Sequence, residues 1–302
     1  NPSGLPATAR RSPAPSTPKP IMLVAVAQMT SGGVIRENLA IAQQLVRRAA
    51  IAGAKAVFLP EAADFIAPPA SVPSLTRSRD NAAFVSELCA SARDLGVWIS
   101  VGVHEPPSST FQEPTRCYNT QLLINDQGSV CARYRKLHLY DVNVQNGMSI
   151  LESNTTIPGT ELVPPVETPW GRVGLLTCYD MRFPEVSLSL RRMGASILTY
   201  PSAFAVRTGA AHWSTLLQAR AIDTQCWVLA AAQVGTHPGT TRASWGHAMI
   251  VDPWGSIVAQ CSDVRPIQPT FSLAALTHPP LENLRADMPL WSQRRNDVYP
   301  SL

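Results

Sequence analysis

The strongest constraint on this chain is alternation. Apolar, β-prone runs at residues 22–27, 55–59 and 97–103 are separated by two longer segments with helical spacing. In the first, Ile35, Leu39, Leu45, Val46 and Ala49 share a face, polar residues such as Arg36 and Glu37 lie between them, and Gly53 ends it. In the second, Phe84, Val85, Leu88, Ala92 and Leu95 repeat the pattern up to Gly96. This rhythm predicts a layered α/β fold. Further strands are predicted at 119–124 and 130–134, joined by Asn125-Asp126-Gln127-Gly128. A loop is expected from there through Glu152-Ser153-Asn154 to Pro158-Gly159. Strands at 173–177, 195–200 and 226–233, a helix over 209–225 and a hairpin around Asp252-Pro253-Trp254-Gly255 follow. With no repeat and no second linker, residues 21–302 read as one domain of about 280 residues.

Residues 1–20 are rich in Pro, Ser and Ala, carry no acidic residue and cannot build a core, so they read as a disordered tail. The same basic, Ser-rich composition matches part of a mitochondrial transit segment. The chain opens on Asn1, which is compatible with a longer parent protein. Net charge is +4 with no run of five basic residues, which argues against nucleic acid as a partner. No apolar stretch reaches the roughly 18 residues of a membrane span. None of the six cysteines forms a CxxC pair and no Cys/His spacing fits zinc, so they are expected as reduced thiols of an intracellular protein.

Three polar residues stand where apolar strands end: Glu61 after Phe58-Leu59-Pro60, Lys136 after Tyr134-Arg135, and Cys178 after Leu176-Thr177. Sites in layered α/β folds form at such strand ends. Taken singly, a Glu after Pro is a turn residue, a Lys after Arg faces solvent, and a free Cys is a small buried hydrophobe. Together they supply a base, an oxyanion-stabilising ammonium and a nucleophile for attack on a polarised C–N carbon. Glu61 can serve if burial raises its pKa. Cys178 precedes a helix opened by Pro184, and a helix start is expected to lower a thiol pKa. A Cys–His arrangement would have to draw on His104, His138, His212, His237, His247 or His278; only His138 and His212 lie near the site segments.

The segments Phe58-Leu59-Pro60-Glu61-Ala62, Tyr134-Arg135-Lys136-Leu137-His138-Leu139 and Leu176-Thr177-Cys178-Tyr179-Asp180-Met181-Arg182-Phe183-Pro184-Glu185 resemble, in order and placement, the three motifs of the nitrilase superfamily. The resemblance runs from about Met22 to Tyr299. It implies a four-layer αββα sandwich and thioester chemistry at Cys178. Glu61 would be general base, and Lys136 proton donor and oxyanion stabiliser. Glu152 would be a supporting glutamate and the Tyr179 N–H an oxyanion donor. It implies no metal and no cofactor, and association into a dimer or tetramer through the outer helices. The stretches 199–204, 209–213, 218–225, 242–247 and 251–255 resemble the Nit branch, with Ala210-Ala211 and the less similar loop 141–151 as departures.

What the branch implies is an amidase of deaminated glutathione, a small-molecule amide, with release of α-ketoglutarate and Cys-Gly. The substrate carries carboxylates, and Arg182 can pair bidentately with one; the resemblance sets Phe204 and Thr208 in the same pocket. The opposing reading makes Arg182 an ion-pair partner of Asp180 or Glu185. Trp213, Leu216 and Leu217 read as a packed helix face. The rivals are an ω-amidase acting on α-ketoglutaramate, a true nitrilase, and a non-catalytic binding module. The last is prompted by branch members fused to a Fhit-type nucleotide hydrolase. Cytoplasm or mitochondrion is the expected location.

Overall fold

The computed structural model describes residues 22–107, 115–143, 149–277 and 279–299. The expected tail 1–20 and His278 lie outside them.

The first half runs β1 (Met22–Met29), α1 (Ile35–Ile51), β2 (Ala56–Phe58), α2 (Val72–Thr76), α3 (Arg79–Leu95), β3 (Trp98–Glu105), β4 (Tyr118–Ile124) and β5 (Val130–Arg135). β1, β2 and β3 are parallel, and β4 and β5 continue the sheet antiparallel. The second half runs β6 (Asp141–Asn143), β7 (Ser149–Leu151), β8 (Val166–Thr168), β9 (Gly171–Leu175), α4 (Pro184–Arg192), β10 (Ile197–Thr199), α5 (Val206–Thr224), β11 (Trp227–Ala230), β12 (Ala232–Thr236), β13 (Ala243–Trp245), β14 (Met249–Val251), β15 (Ile257–Gln260), β16 (Thr270–Leu276) and α6 (Pro279–Asp287). A second sheet has the order β15-β14-β11-β10-β9-β8. The first sheet reads β13-β12-β1-β2-β3-β4-β5, with β16 also paired to β1.

Strand periodicity builds the layers. In β1, Val24 and Val26 point into a core shared with Val173, Leu175, Ile197 and Val228 of the second sheet. Ala25 and Ala27 point the other way, onto Leu45 and Val46 of α1 and Phe84 and Leu88 of α3. Beyond the second sheet, Leu190 of α4 and Trp213 and Leu217 of α5 close the sheet-to-sheet core. The four layers are therefore helices, sheet, sheet, helices: the expected αββα sandwich. Capping matches the sequence signals: Ser78 Oγ accepts from Asn81 N at the start of α3, and Gly96 ends it at φ +62°.

Two expectations are corrected. Residues 226–233 are not one strand. The chain leaves the second sheet at β11 and enters the first at β12, turning at Ala231, whose carbonyl accepts from Ser202 N (2.9 Å). The switch lies inside the unbroken apolar run 226–232, so hydropathy carries no mark of it. The segment expected as a loop before Glu152 contains the hairpin β6–β7 instead. Among the described residues no helix is long and apolar enough to cross a membrane, and all six cysteines are free.

Candidate active site

Glu61 leaves β2 in a tight, clamped turn. Ala63 N donates to Gly102 O (2.8 Å) and Gly102 N to Pro60 O (3.0 Å). A Cβ on Gly102 would lie 2.5 Å from Glu61 Cα, so only glycine lets β3 approach this closely. Gln233 Nε2 donates to the carbonyls of Glu61 (3.0 Å) and Ala62 (3.2 Å), and Ala62 sits at φ +53°. Lys136 follows β5 and is held by backbone bonds on both sides: its N donates to Asn119 O (2.9 Å) and its O accepts from Gly159 N (2.8 Å).

Cys178 follows β9 at φ +47°, a left-handed conformation that costs a non-glycine residue energy and clusters at functional sites. Its N donates to Pro201 O (3.1 Å). Asp180 braces the turn: one carboxylate oxygen accepts from Tyr134 OH (2.7 Å) and Thr177 N (2.8 Å), the other from His138 N (3.1 Å) and the His138 ring (2.7 Å). The buried Asp180 thus ties the chain just after Lys136 to the chain around Cys178.

The three strand-end residues converge. Glu61 Oε1 accepts from Lys136 Nζ (3.0 Å) and Asn119 Nδ2 (2.7 Å), and its Oε2 from Ala203 N (2.7 Å). Lys136 Nζ also donates to both Glu152 oxygens, at 2.8 and 3.1 Å. Glu152 is fixed in turn by Asn119 Nδ2 (3.0 Å) and Tyr140 N (2.7 Å). The Cys178 sulfur meets the Glu61 carboxylate and the Ala203 N–H. Glu61, Lys136 and Cys178 are buried; Glu152 is half-buried.

The electrostatics correct two expectations. Burial pushes the Cys178 thiol up, the Glu61 charge beside it adds to the rise, and Lys136 only partly opposes them. The helix that was expected to lower it starts at Pro184, six residues on, and the intervening turn Cys178–Arg182 is a short 3₁₀ segment. Glu61 is not raised either. Burial opposes its ionisation, but the Lys136 charge and the hydrogen bonds from Lys136 and Asn119 prevail and hold it below the usual carboxylate range. Burial works against the Lys136 ammonium too, yet Glu152 and Glu61 hold it well above the usual lysine value. The resting site is a neutral thiol against an ionised carboxylate, both beside an ammonium.

Around this centre, Tyr179 starts the turn after Cys178, where a backbone N–H has no partner within the helix. The Arg182 guanidinium lies 5.3 Å from the Phe204 ring centroid and 5.7 Å from that of Tyr179, and its Nη atoms approach His212 Nδ1 at 3.3 and 3.4 Å. Among the described residues it has no ion pair with Asp180 or Glu185. Thr208 Oγ1 donates to Ala205 O (3.3 Å) in the first turn of α5. Trp213 is buried and donates from Nε1 to His247 O (2.8 Å), a packed face as expected. His138 is spent on Asp180 and stacked on Phe183, so neither it nor His212 is bonded to Cys178. The roles of Asn119, Ala203 and Asp180 escaped sequence reasoning; the available signal was the polar stretch Asn119-Thr120-Gln121 ahead of the apolar end of β4.

The family described as carbon-nitrogen hydrolase matches residues 23–273. The deaminated glutathione amidase of Mus musculus is 46% identical over 292 residues, covering 97% of this chain and 89% of that protein. The crystal structure of the C. elegans NitFhit protein superposes with a TM-score of 0.87 at 40% identity, over 94% of this chain and 67% of that one. Saccharomyces cerevisiae Nit3, a member of branch 10 of the nitrilase superfamily, gives a TM-score of 0.78 at 28% identity, over 91% of this chain and 97% of that one.

Proposed function

Because this chain belongs to the carbon–nitrogen hydrolase family and is a hydrolase of C–N bonds other than peptide bonds, we propose that it cleaves deaminated glutathione through a thioester on Cys178. The observation that carries the chemistry is the resting charge arrangement. A protonated thiol faces an ionised Glu61, and both adjoin the Lys136 ammonium. Glu61 takes the proton from Cys178 Sγ as Sγ bonds to the γ-amide carbon. The carbonyl oxygen becomes an oxyanion, stabilised by Lys136 and the Tyr179 N–H. Collapse breaks the C–N bond, and Cys-Gly leaves with the proton from Glu61. Glu61 then accepts a proton from water, the resulting hydroxide attacks the thioester, and Sγ departs to be reprotonated. α-Ketoglutarate is released.

Glu152 holds Lys136 in place and balances its charge, so that the ammonium does not simply neutralise Glu61. Arg182, lying against Phe204, takes the α-keto acid carboxylate, with Thr208 as a further residue of the same pocket. Among the described residues the Arg182 guanidinium has the His212 ring and aromatic faces around it and no carboxylate partner, which leaves it open to an anion. The substrate class follows the mouse relative's name and its coverage of nearly the whole chain. A homo-oligomer built on the outer helices, and a functional link to a Fhit-type hydrolase, extend the same reading. The worm relative that is a single Nit–Fhit chain supports that link. The test is release of Cys-Gly and α-ketoglutarate from deaminated glutathione by the purified protein, run beside α-ketoglutaramate. Turnover of the first well above the second is expected. The reverse preference makes the protein an ω-amidase.

A further inference from the structure

Arg182 accounts for one end of deaminated glutathione; the other end carries the glycine carboxylate, beyond the scissile amide. A hollow of about 550 Å³ opens between residues 67–69, on the chain leaving Glu61, and residues 239–242, in the β12–β13 turn. Among the described residues its lining has no acidic residue and one cation, Arg242. Arg242 is exposed, and no acidic partner for its guanidinium is present among the described residues.

Both walls are rigidly joined to the active site. On one side, Ser31 Oγ donates to Ala63 O (3.2 Å) and Ile66 N to Gly32 O (3.1 Å), which fixes the path from Glu61 to Ala67. On the other, Gln233 grips the Glu61 carbonyl, and the turn beyond it is pinned by His237 N to Arg242 O (2.9 Å), Arg242 N to Thr240 Oγ1 (3.1 Å) and the His237 ring to Ser31 O (2.9 Å). β13 then returns to the site. Ser244 is bridged to Ala205, and Trp245 N donates to Phe204 O (2.8 Å). Arg242 is two residues from that bridge, and Ala205 is two residues from Ala203, whose N–H binds Glu61. Four residues of extended chain span about 14 Å, and with the roughly 5 Å step across the Ser244–Ala205 bridge the separation is about 15 Å. The two-residue Cys-Gly tail covers about 7 Å of that when extended, and the remainder is within the length of an extended arginine side chain.

We propose that Arg242 binds the distal glycine carboxylate and is the residue by which this enzyme favours tripeptide-like amides over short ones. The inference rests on the substrate reading above and adds a second anion site to it. The experiment compares wild type with Arg242→Ala on three substrates: deaminated glutathione, its C-terminal carboxamide, and α-ketoglutaramate. For wild type, kcat/KM should be about tenfold lower on the carboxamide than on the acid, as expected for one charge-assisted contact. In the variant that gap should close. Its kcat/KM ratio of deaminated glutathione over α-ketoglutaramate should fall about tenfold, mostly through KM. A wild type that cleaves deaminated glutathione but does not distinguish acid from carboxamide overturns the site and leaves the substrate reading standing. So does a variant whose ratio matches wild type. A wild type that cleaves no deaminated glutathione overturns the substrate reading and this site with it.

Discussion

Glu61→Gln separates the chemical role of this carboxylate from its structural one. The substitution keeps the side chain's size but removes its charge and its ability to accept a proton. Lys136 loses one anionic partner at 3.0 Å and keeps the other, Glu152, at 2.8 Å. Breaking a buried ion pair outright costs about 3–5 kcal/mol, so with Glu152 remaining the loss should be about 2–3 kcal/mol. The protein should still fold. Losing the base should lower kcat by about 10²- to 10⁴-fold. The thiol should move the other way. The Glu61 charge and its bond to Sγ both raise the Cys178 pKa, and Lys136 lowers it. Removing the Glu61 charge leaves burial opposed by Lys136 and the Ala203 N–H, so the thiol becomes more acidic. The assay is iodoacetamide alkylation of Cys178 between pH 6 and 9, followed by peptide mass spectrometry, alongside amide turnover. Slower turnover with faster alkylation is the expected pair. Turnover within a few-fold of wild type, or alkylation slowed in step with turnover, would refute the reasoning.

Further expectations come from the scaffold. Gly102→Ala sets a Cβ against Glu61 Cα and should cost about 1–3 kcal/mol, seen in the denaturation midpoint, and reduce kcat as Glu61 shifts. Asp180→Asn keeps the side chain's shape but weakens the brace on Tyr134, Thr177 and His138; a loss of about 1.5–3 kcal/mol in chemical denaturation is expected. Burial holds His237 neutral, its pKa pushed down to about 4 from 6.5, with Ser31 O opposing the shift. The stability this provides is complete above pH 6.5, is lost as pH falls towards 4, and amounts to about 3 kcal/mol. Thermal melting should therefore drop between pH 7 and 4.5, and His237→Asn should flatten that drop.

Much of this was legible from residues alone. Glu61, Lys136 and Cys178 stand out because each is a polar residue just past the end of a strand, and the structure brings them together. Helix faces and stops such as Gly53 and Gly96 carry periodicity and conformational signals that need no tertiary knowledge. What escaped has a common cause: it depends on long-range placement. The sheet switch at Ala231 lies inside an unbroken apolar run. Asn119 and Ala203 acquire meaning only when β4 and the chain after β10 meet Glu61. The pKa directions differ from expectation because burial and the neighbouring Glu61 charge outweigh a helix start at Cys178, while Lys136 and Asn119 outweigh burial at Glu61, and none of these is visible along one chain. The strand β16, whose residues are mostly half-buried, lacks the clean alternation that marks other strands.

The most direct test of the account is to trap the intermediate. Rapid acid quench of the protein with deaminated glutathione, followed by peptide mapping, should reveal an α-ketoglutaryl thioester on the peptide containing Cys178. It should be absent from Cys178→Ala, which should have no turnover. Steady-state hydrolysis with no acyl adduct, or turnover retained by Cys178→Ala, would contradict the thioester mechanism.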